Sequence, residues 1–415
     1  MVASAVSPRW GSEGYVGWSC LNSVPEDSRV TLLTTPLCAS EVRWGHRNGF
    51  NPPKLTEIRD SGTQWDLKVK HPLAVRLNQS LKARYDLRAF YRLVKESCSS
   101  TRVDIIHQTT IASWRYGMPY HGLGAPTVWG PIGGGETFPW SYANAVGRKT
   151  LAFEIFRSLN TGLMRFHPSI RRAVRSVDVI ICTNHQTGSM LKRMGRTKPI
   201  LFQQNILTQD AFDTIQSATS QRTPEALRIF TGGSMEDRKG YRLLLHAVHK
   251  LVFIAQIPIH LVIGGQGLEL DTLKLLVRQL DLCSHVTFQP TLSTSAFYSA
   301  LRSSHVFAFP SLRDNSPITL LEAMAAGCVP LVLCNGGPGD IVKSRFGVVL
   351  SLKTPEATIN EIATELERLW RDEKCTSHLS RHAVTEIRQS YLACHLQKTL
   401  AKAYALASRS YDRSE

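Results

Sequence analysis

The run Val306-Phe307-Ala308-Phe309 constrains this 415-residue chain most. Four apolar, strand-forming residues without polar alternation predict a parallel strand buried on both faces. Pro310 stops the run, a polar loop follows, and Ser316-Pro317 is the expected start of a helix: Ser316 to cap free amides, Pro317 to occupy the first position. Leu320, Leu321, Met324 and Ala325 form an apolar stripe at helical spacing, and Gly327 closes it. A strand, a loop and a helix N-terminus at the C-terminal edge of a parallel sheet make an anion site. Asp314 and Glu322, with seven residues between them, bracket it. Amides suit phosphate oxygens and carboxylates suit sugar hydroxyls; a surface Asp and a helical Glu near a buried strand are the bland alternative.

Pro310, Ser311, Asp314, Glu322, Ala323, Met324, Ala325 and Gly327 stand in register with a P-S-x-x-E…E-A-M-A-x-G block. On those residues the chain resembles retaining glycosyltransferases of the GT-B class, family four. Asp314 replaces the first Glu of the family pattern, keeping the charge but shortening the reach. The resemblance implies an α/β fold of two Rossmann-like doubly wound domains facing a central cleft. It also implies that Glu322 holds the donor's ribose while Asp314 faces the donor sugar.

The second half alternates strand and helix around this block. Leu227–Phe230 reads as a strand, followed by Thr231-Gly232-Gly233-Ser234 and then Arg238-Lys239-Gly240 before a helix at Tyr241–Leu251. A lysine at a helix start suits a diphosphate, and a solvated lysine is the alternative. In the family, the K-G lysine neutralises the leaving diphosphate. A family arginine six residues earlier falls here on Gly233, so Arg238 is the candidate replacement. Ile259–Ile263 is a strand leading to Gly265 and Gly267, a weak G-x-G turn with no dinucleotide extension. Val286–Phe288 and Pro330–Leu333 are further strands.

The first half is less explicit. Val2–Val6 is short for an opening strand, so either the chain starts inside a longer one or the first strand is short. Gly11, Ser12 and Gly14 lie in a loop resembling the family's loop beside the donor phosphates, although a plain turn uses glycine equally well. Val30–Thr34 is a strand, Pro36–Lys70 an irregular stretch, and Leu81–Lys95 a helix. A strand from Val103 ends in His107, which is either structural or, by resemblance, a contact to the donor sugar; Thr109 stands where many relatives carry a second histidine. The strand Pro126–Trp129 runs into Gly133-Gly134-Gly135, and W-G-P-I-G-G-G-E resembles a subset of the same family. Residues 149–166 are amphipathic with basic ends, Leu151, Ile155, Leu159 and Leu163 spaced by four; the stretch either lies on a membrane or packs on the sheet, and packing is the default expectation.

These readings set the expected boundaries at 1–208 for an acceptor-side domain, 209–225 for a linker, 226–390 for a nucleotide-sugar domain, and 391–415 for a helix returning to the first domain plus a polar tail. Composition supports a globular chain with a sizeable core and no spanning segment: 43% hydrophobic, 20% charged, no apolar run of about twenty residues and no signal-peptide pattern. Nine scattered cysteines without a C-x-x-C pair read as reduced thiols in a cytoplasmic protein. The net charge of +16 is densest between Arg148 and Lys198, where eleven cations face Glu154 and Asp178. No nucleic-acid module accompanies them, leaving an anionic membrane surface or a solvated basic face.

The expected activity is transfer of a sugar, with retention, from a nucleoside diphosphate sugar to a glycan or lipid-linked acceptor in surface polysaccharide or glycolipid synthesis. No cofactor and no metal are expected. A nucleotide-sugar epimerase of the same fold and a non-catalytic nucleotide-sugar-binding protein are the competing classes.

Overall fold

A computed structural model describes residues 1–11, 13–50, 52, 54–62, 72–219, 222–223 and 225–412, with backbone alone for 72–80. Two compact units emerge: residues 1–135, 160–204 and 393–415 form the first, and residues 136–159 with 205–392 form the second. Residues 136–159 therefore belong with the C-terminal half, against the expected domain boundary at 208. The expected linker 209–225 contains the helix Gln209–Ser217 of the second unit, capped by Thr208.

The first unit carries β1 (Val2–Ala3), β2 (Val30–Thr34), β3 (Leu55–Asp60), β4 (Ile106–Thr110), β5 (Thr127–Ile132), β6 (Val179–Cys182) and β7 (Ile200–Phe202). They form one parallel sheet in the order β3-β2-β1-β4-β5-β6-β7. The second unit carries β8 (Leu227–Gly232), β9 (Ile259–Gly264), β10 (Val286–Gln289), β11 (Val306–Phe309), β12 (Val329–Leu333) and β13 (Val348–Leu350), also all parallel, in the order β10-β9-β8-β11-β12-β13. Each order runs back toward the start of its unit and then jumps, which is the doubly wound pattern expected from the sequence. A ligand crevice opens where the order reverses, so in the second unit the loops after β8 and β11 are the place for chemistry.

The buried strands are apolar because both faces are covered. Val306, Phe307, Ala308 and Phe309 are all at most 2% exposed; Val306 and Ala308 belong to the core on one face of the sheet with Leu261 and Leu331, and Phe307 and Phe309 to the core on the other with Met324, where Phe307 stacks on Phe230. Burying such side chains stabilises by about 1.5–3 kcal/mol each.

Three local expectations are corrected. Residues 36–70 are not irregular throughout: Thr35 caps a helix Pro36–Arg47, with Pro36 in its first turn, and β3 follows. Ser316 does not cap the helix Ile318–Ala325, whose N-cap position is Pro317 without a side-chain bond; the Ser316 hydroxyl instead accepts from the Asn205 amide at 2.8 Å. The helix Arg148–Phe166 does not bury its leucine stripe. Ile155, Leu159 and Leu163 are 45%, 64% and 70% exposed, because the helix turns Glu154 inward.

Candidate active site

Lys239 is placed by backbone contact. Residues Asp237–Lys239 form a single tight turn after β8, ended by Gly240 at φ +75°. A Cβ on Gly240 would lie 2.1 Å from the Pro310 carbonyl oxygen, so only glycine lets this turn press against the end of β11. The Leu312 amide donates to the Arg238 carbonyl at 2.8 Å and completes the seam. Lys239 Nζ consequently meets the Asp314 carboxylate and sits 4.8 Å from the Phe309 ring centre. Arg238 lies 3.8 Å from the same carboxylate, donates to the Arg313 carbonyl at 2.7 Å and pairs with Glu236 at 2.8 Å. Burial alone would raise the Asp314 carboxyl, but Lys239 and Arg238 outweigh it and hold the group below the ordinary carboxylate range.

Glu322 contrasts with Asp314. It sits within the helix Ile318–Ala325, accepts from the Tyr298 hydroxyl at 3.3 Å, and burial pushes its carboxyl up to about 7. A buried carboxyl raised toward neutrality is the kind of group found at functional sites.

Two further contacts stiffen the Asp314 loop. The Gly337 amide donates to the Asp314 carbonyl at 3.1 Å, and a Cβ at Gly337 would fall 1.7 Å from the Asn315 carbonyl oxygen. Asn335 donates to the Leu312 carbonyl at 2.6 Å and the Thr137 carbonyl at 3.1 Å. From the other side Glu154, fully buried, takes Arg313 in a bidentate pair at 2.7–3.2 Å, with Arg157 at 3.3 Å. Glu154, Asn335 and Tyr298 were missed by the sequence reading. For Glu154 the sequence offers only its place as one of two acids among the eleven cations between Arg148 and Lys198.

The remaining sequence candidates separate by unit. Gly265 and Gly267 are packing residues, since a Cβ on either would strike the backbone of 233–235. Gly233, at φ +130°, has open space where its Cβ would point, so no side chain fills the position of the family arginine. In the first unit Gly11 borders open space, a Cβ on Gly14 would press on Trp10, and Ser12 lies outside the described residues. His107 is the second residue of β4, not the end of its strand, and is 2% exposed. Its ring nitrogens contact the Gly130 carbonyl at 2.7 Å and the Tyr404 hydroxyl at 2.9 Å, and burial lowers it to about 4. Those contacts make it a neutral structural histidine, correcting its placement at a strand edge. A cavity of about 940 Å³ in the second unit lies at the N-terminal ends of β8 and β11 beside Arg222, His305 and Trp370, away from these loops. Among the described residues no group of three or more His, Cys, Asp and Glu is arranged to hold a metal ion.

Residues 214–383 match the family model described as glycosyl transferases group 1. An uncharacterised glycosyltransferase of Methanocaldococcus jannaschii is 26% identical over 182 residues, covering 44% of this chain and 45% of that protein. The phosphatidyl-myo-inositol mannosyltransferase of Mycolicibacterium smegmatis is 35% identical over 125 residues, covering 28% and 31%. The chain thus spans less than half the length of these curated relatives. The structure of Anabaena HepE in complex with UDP superposes with a TM-score of 0.61 at 13% identity, covering 97% of this chain and 98% of that one. The two-sheet architecture is that of the GT-B proteins.

Proposed function

We propose that this chain, a member of the group 1 glycosyltransferases through residues 214–383, moves a hexosyl group from a nucleoside diphosphate sugar to a glycan or lipid-linked acceptor with retention of configuration. The observation that carries this reading is the Lys239–Asp314 contact at the switch point of the second sheet, with Glu322 on the helix that follows the same loop. Lys239 has three donor hydrogens; one holds Asp314 and the others reach a diphosphate. Glu322 then accepts from the ribose, and Asp314, kept ionised, faces the sugar where positive charge develops. As the bond to the diphosphate lengthens, Lys239 stabilises the departing charge and Asp314 the oxocarbenium-like carbon, so both interactions strengthen toward the transition state. Arg238 adds a second cation beside Asp314 in place of the family arginine absent at Gly233. We assign these groups the whole of the charge stabilisation, with no metal step. Asp314 and Glu322 are the catalytic candidates; Lys239, Arg238 and Glu322 bind the donor, and Ser316, Gly265 and Gly267 shape its loops.

Two features support a membrane-borne acceptor in polysaccharide or glycolipid synthesis. The relative from Mycolicibacterium is named for mannosyl transfer to a phosphatidylinositol, and the helix Arg148–Phe166 exposes an apolar stripe among cations. Among the described residues no helix is long and apolar enough to cross a membrane, and the exposed stripe of the helix Arg148–Phe166 is the surface we assign to membrane contact. The test is transfer from a panel of UDP- and GDP-sugars to lipid-linked and glycan acceptors. Sugar incorporation that vanishes in Asp314→Asn supports the reading; free sugar or an epimer released without acceptor refutes it.

A further inference from the structure

The first unit holds a cavity of about 440 Å³ between the helix Pro72–Ser100, the segment 115–121 and the helix Pro168–Ser176. Arg84, Arg88, Arg115, Arg172, His121 and His167 line it, and no carboxylate among the described residues does. Arg84 and Arg88 are one helical turn apart on one face, a like-charge pair that costs stability unless something anionic joins it. Asp86, the acid between them, is buried and does not line the cavity. Arg115 is fixed by bonds to the Gly134 carbonyl at 2.7 Å and the Thr161 hydroxyl at 2.8 Å, which present its charge at a set position. His121 Nδ1 is buried with no hydrogen-bond partner, and His167 Nδ1 reaches the Ser169 hydroxyl at 2.8 Å on the rim.

Directly before His167 the chain exposes an apolar stripe. Leu159, Leu163 and Phe166 stand 64%, 70% and 74% exposed at spacings of four and three, on one face of the helix Arg148–Phe166. An apolar helical stripe flanked by Arg165, Arg171 and Arg172 fits the interface of an anionic bilayer. We propose that the cavity binds the phosphate of a lipid headgroup while Leu163 and Phe166 rest in the bilayer that carries the lipid. The shared chemistry is a phosphate ester attached to an apolar chain. That this lipid is the acceptor rests on the transferase reading; that the cavity takes its phosphate does not.

Flotation of the full chain with vesicles of phosphatidylcholine alone, or of an equal mixture with phosphatidylglycerol, tests this. Three double variants are compared: Arg84→Gln with Arg88→Gln in the cavity, Leu163→Ser with Phe166→Ser in the stripe, and Lys192→Gln with Arg193→Gln as an equal-charge control elsewhere. Circular dichroism and UDP titration verify that each is folded. The wild type should float with anionic vesicles. The cavity pair should lose about thirty-fold in partitioning, the worth of two interfacial cations, and the stripe pair a comparable amount, while the control stays within about twofold. Inorganic pyrophosphate should compete with the vesicles. Equal losses in the cavity and control pairs would reduce the effect to general surface charge and overturn the proposal. Pyrophosphate binding as tightly as vesicles, with an inert stripe pair, would make the ligand a free anion and overturn the lipid assignment. UDP binding reports on the donor reading separately, so either proposal can fail while the other stands.

Discussion

The two units are wound alike, yet His107 in the first and Asp314 in the second meet burial in opposite ways. In the first sheet His107 on β4 is enclosed between Gly130 and Tyr404, and burial keeps it neutral. In the second sheet the end of β11 leads to Asp314, kept ionised by two cations, while Glu322 is poised near neutrality. The winding only decides where a crevice opens; the loop residues decide whether it holds charge. His107 is spent on packing, whereas Asp314 and Glu322 are left for a ligand.

This difference can be broken most severely at Glu154. Removing one partner of a buried ion pair leaves the other charge uncompensated, at about 3–5 kcal/mol. Glu154→Ala should therefore lower the melting temperature sharply, with Arg313 exposed to hydrogen exchange. Pairing it with Arg313→Met should recover much of the loss, and an additive double variant would show that the two do not act together.

Proton linkage sharpens the comparison, because the signs are opposite. Glu322 has a carboxyl raised from 4.5 to about 7. Its cost to the folded state is absent below 4.5 and complete above 7, amounting to about 3 kcal/mol. Glu322→Gln should stabilise the chain at pH 8, leave it unchanged at pH 4, and weaken nucleotide binding. His107 is lowered from 6.5 to about 4, so its burden appears as pH falls through that window, again about 3 kcal/mol. His107→Gln should flatten the acid limb of the stability profile without altering nucleotide affinity. Two denaturation series against pH check both, and a nucleotide effect in the His107 variant would contradict the division between the units.

The smallest effect belongs to Ser316. Ser316→Ala leaves the Asn205 amide without its 2.8 Å acceptor, at about 1–3 kcal/mol. Thermal unfolding measures it, and a loss of helix content instead would restore the capping role expected from the sequence.

Legibility divides along the same line. Strands such as Val306–Phe309 and Ile259–Gly264 could be read because burial on both faces removes polar residues from them, and the K-G turn because Gly240 has to meet Pro310. The first unit was harder to read. Its helix Pro36–Arg47 is set by Thr35 and Pro36 rather than by a strong apolar period, and β1 has two residues. Glu154 was hidden for another reason: its partner Arg313 is 159 residues away, and no local pattern encodes such a pair. The stripe of leucines on the same helix misled in the opposite direction, since periodicity shows that a face is apolar but not what covers it.

The central claim is that Lys239 grips a diphosphate at the end of β11. Calorimetric titration of UDP, GDP and ADP onto the wild type and Lys239→Ala tests it most directly. A charge-assisted hydrogen bond is worth about 1.5–3 kcal/mol, so the best-binding nucleotide should bind the variant about ten- to a hundred-fold more weakly. Equal affinity in the folded variant, or no binding of any of the three to the wild type, would contradict the account.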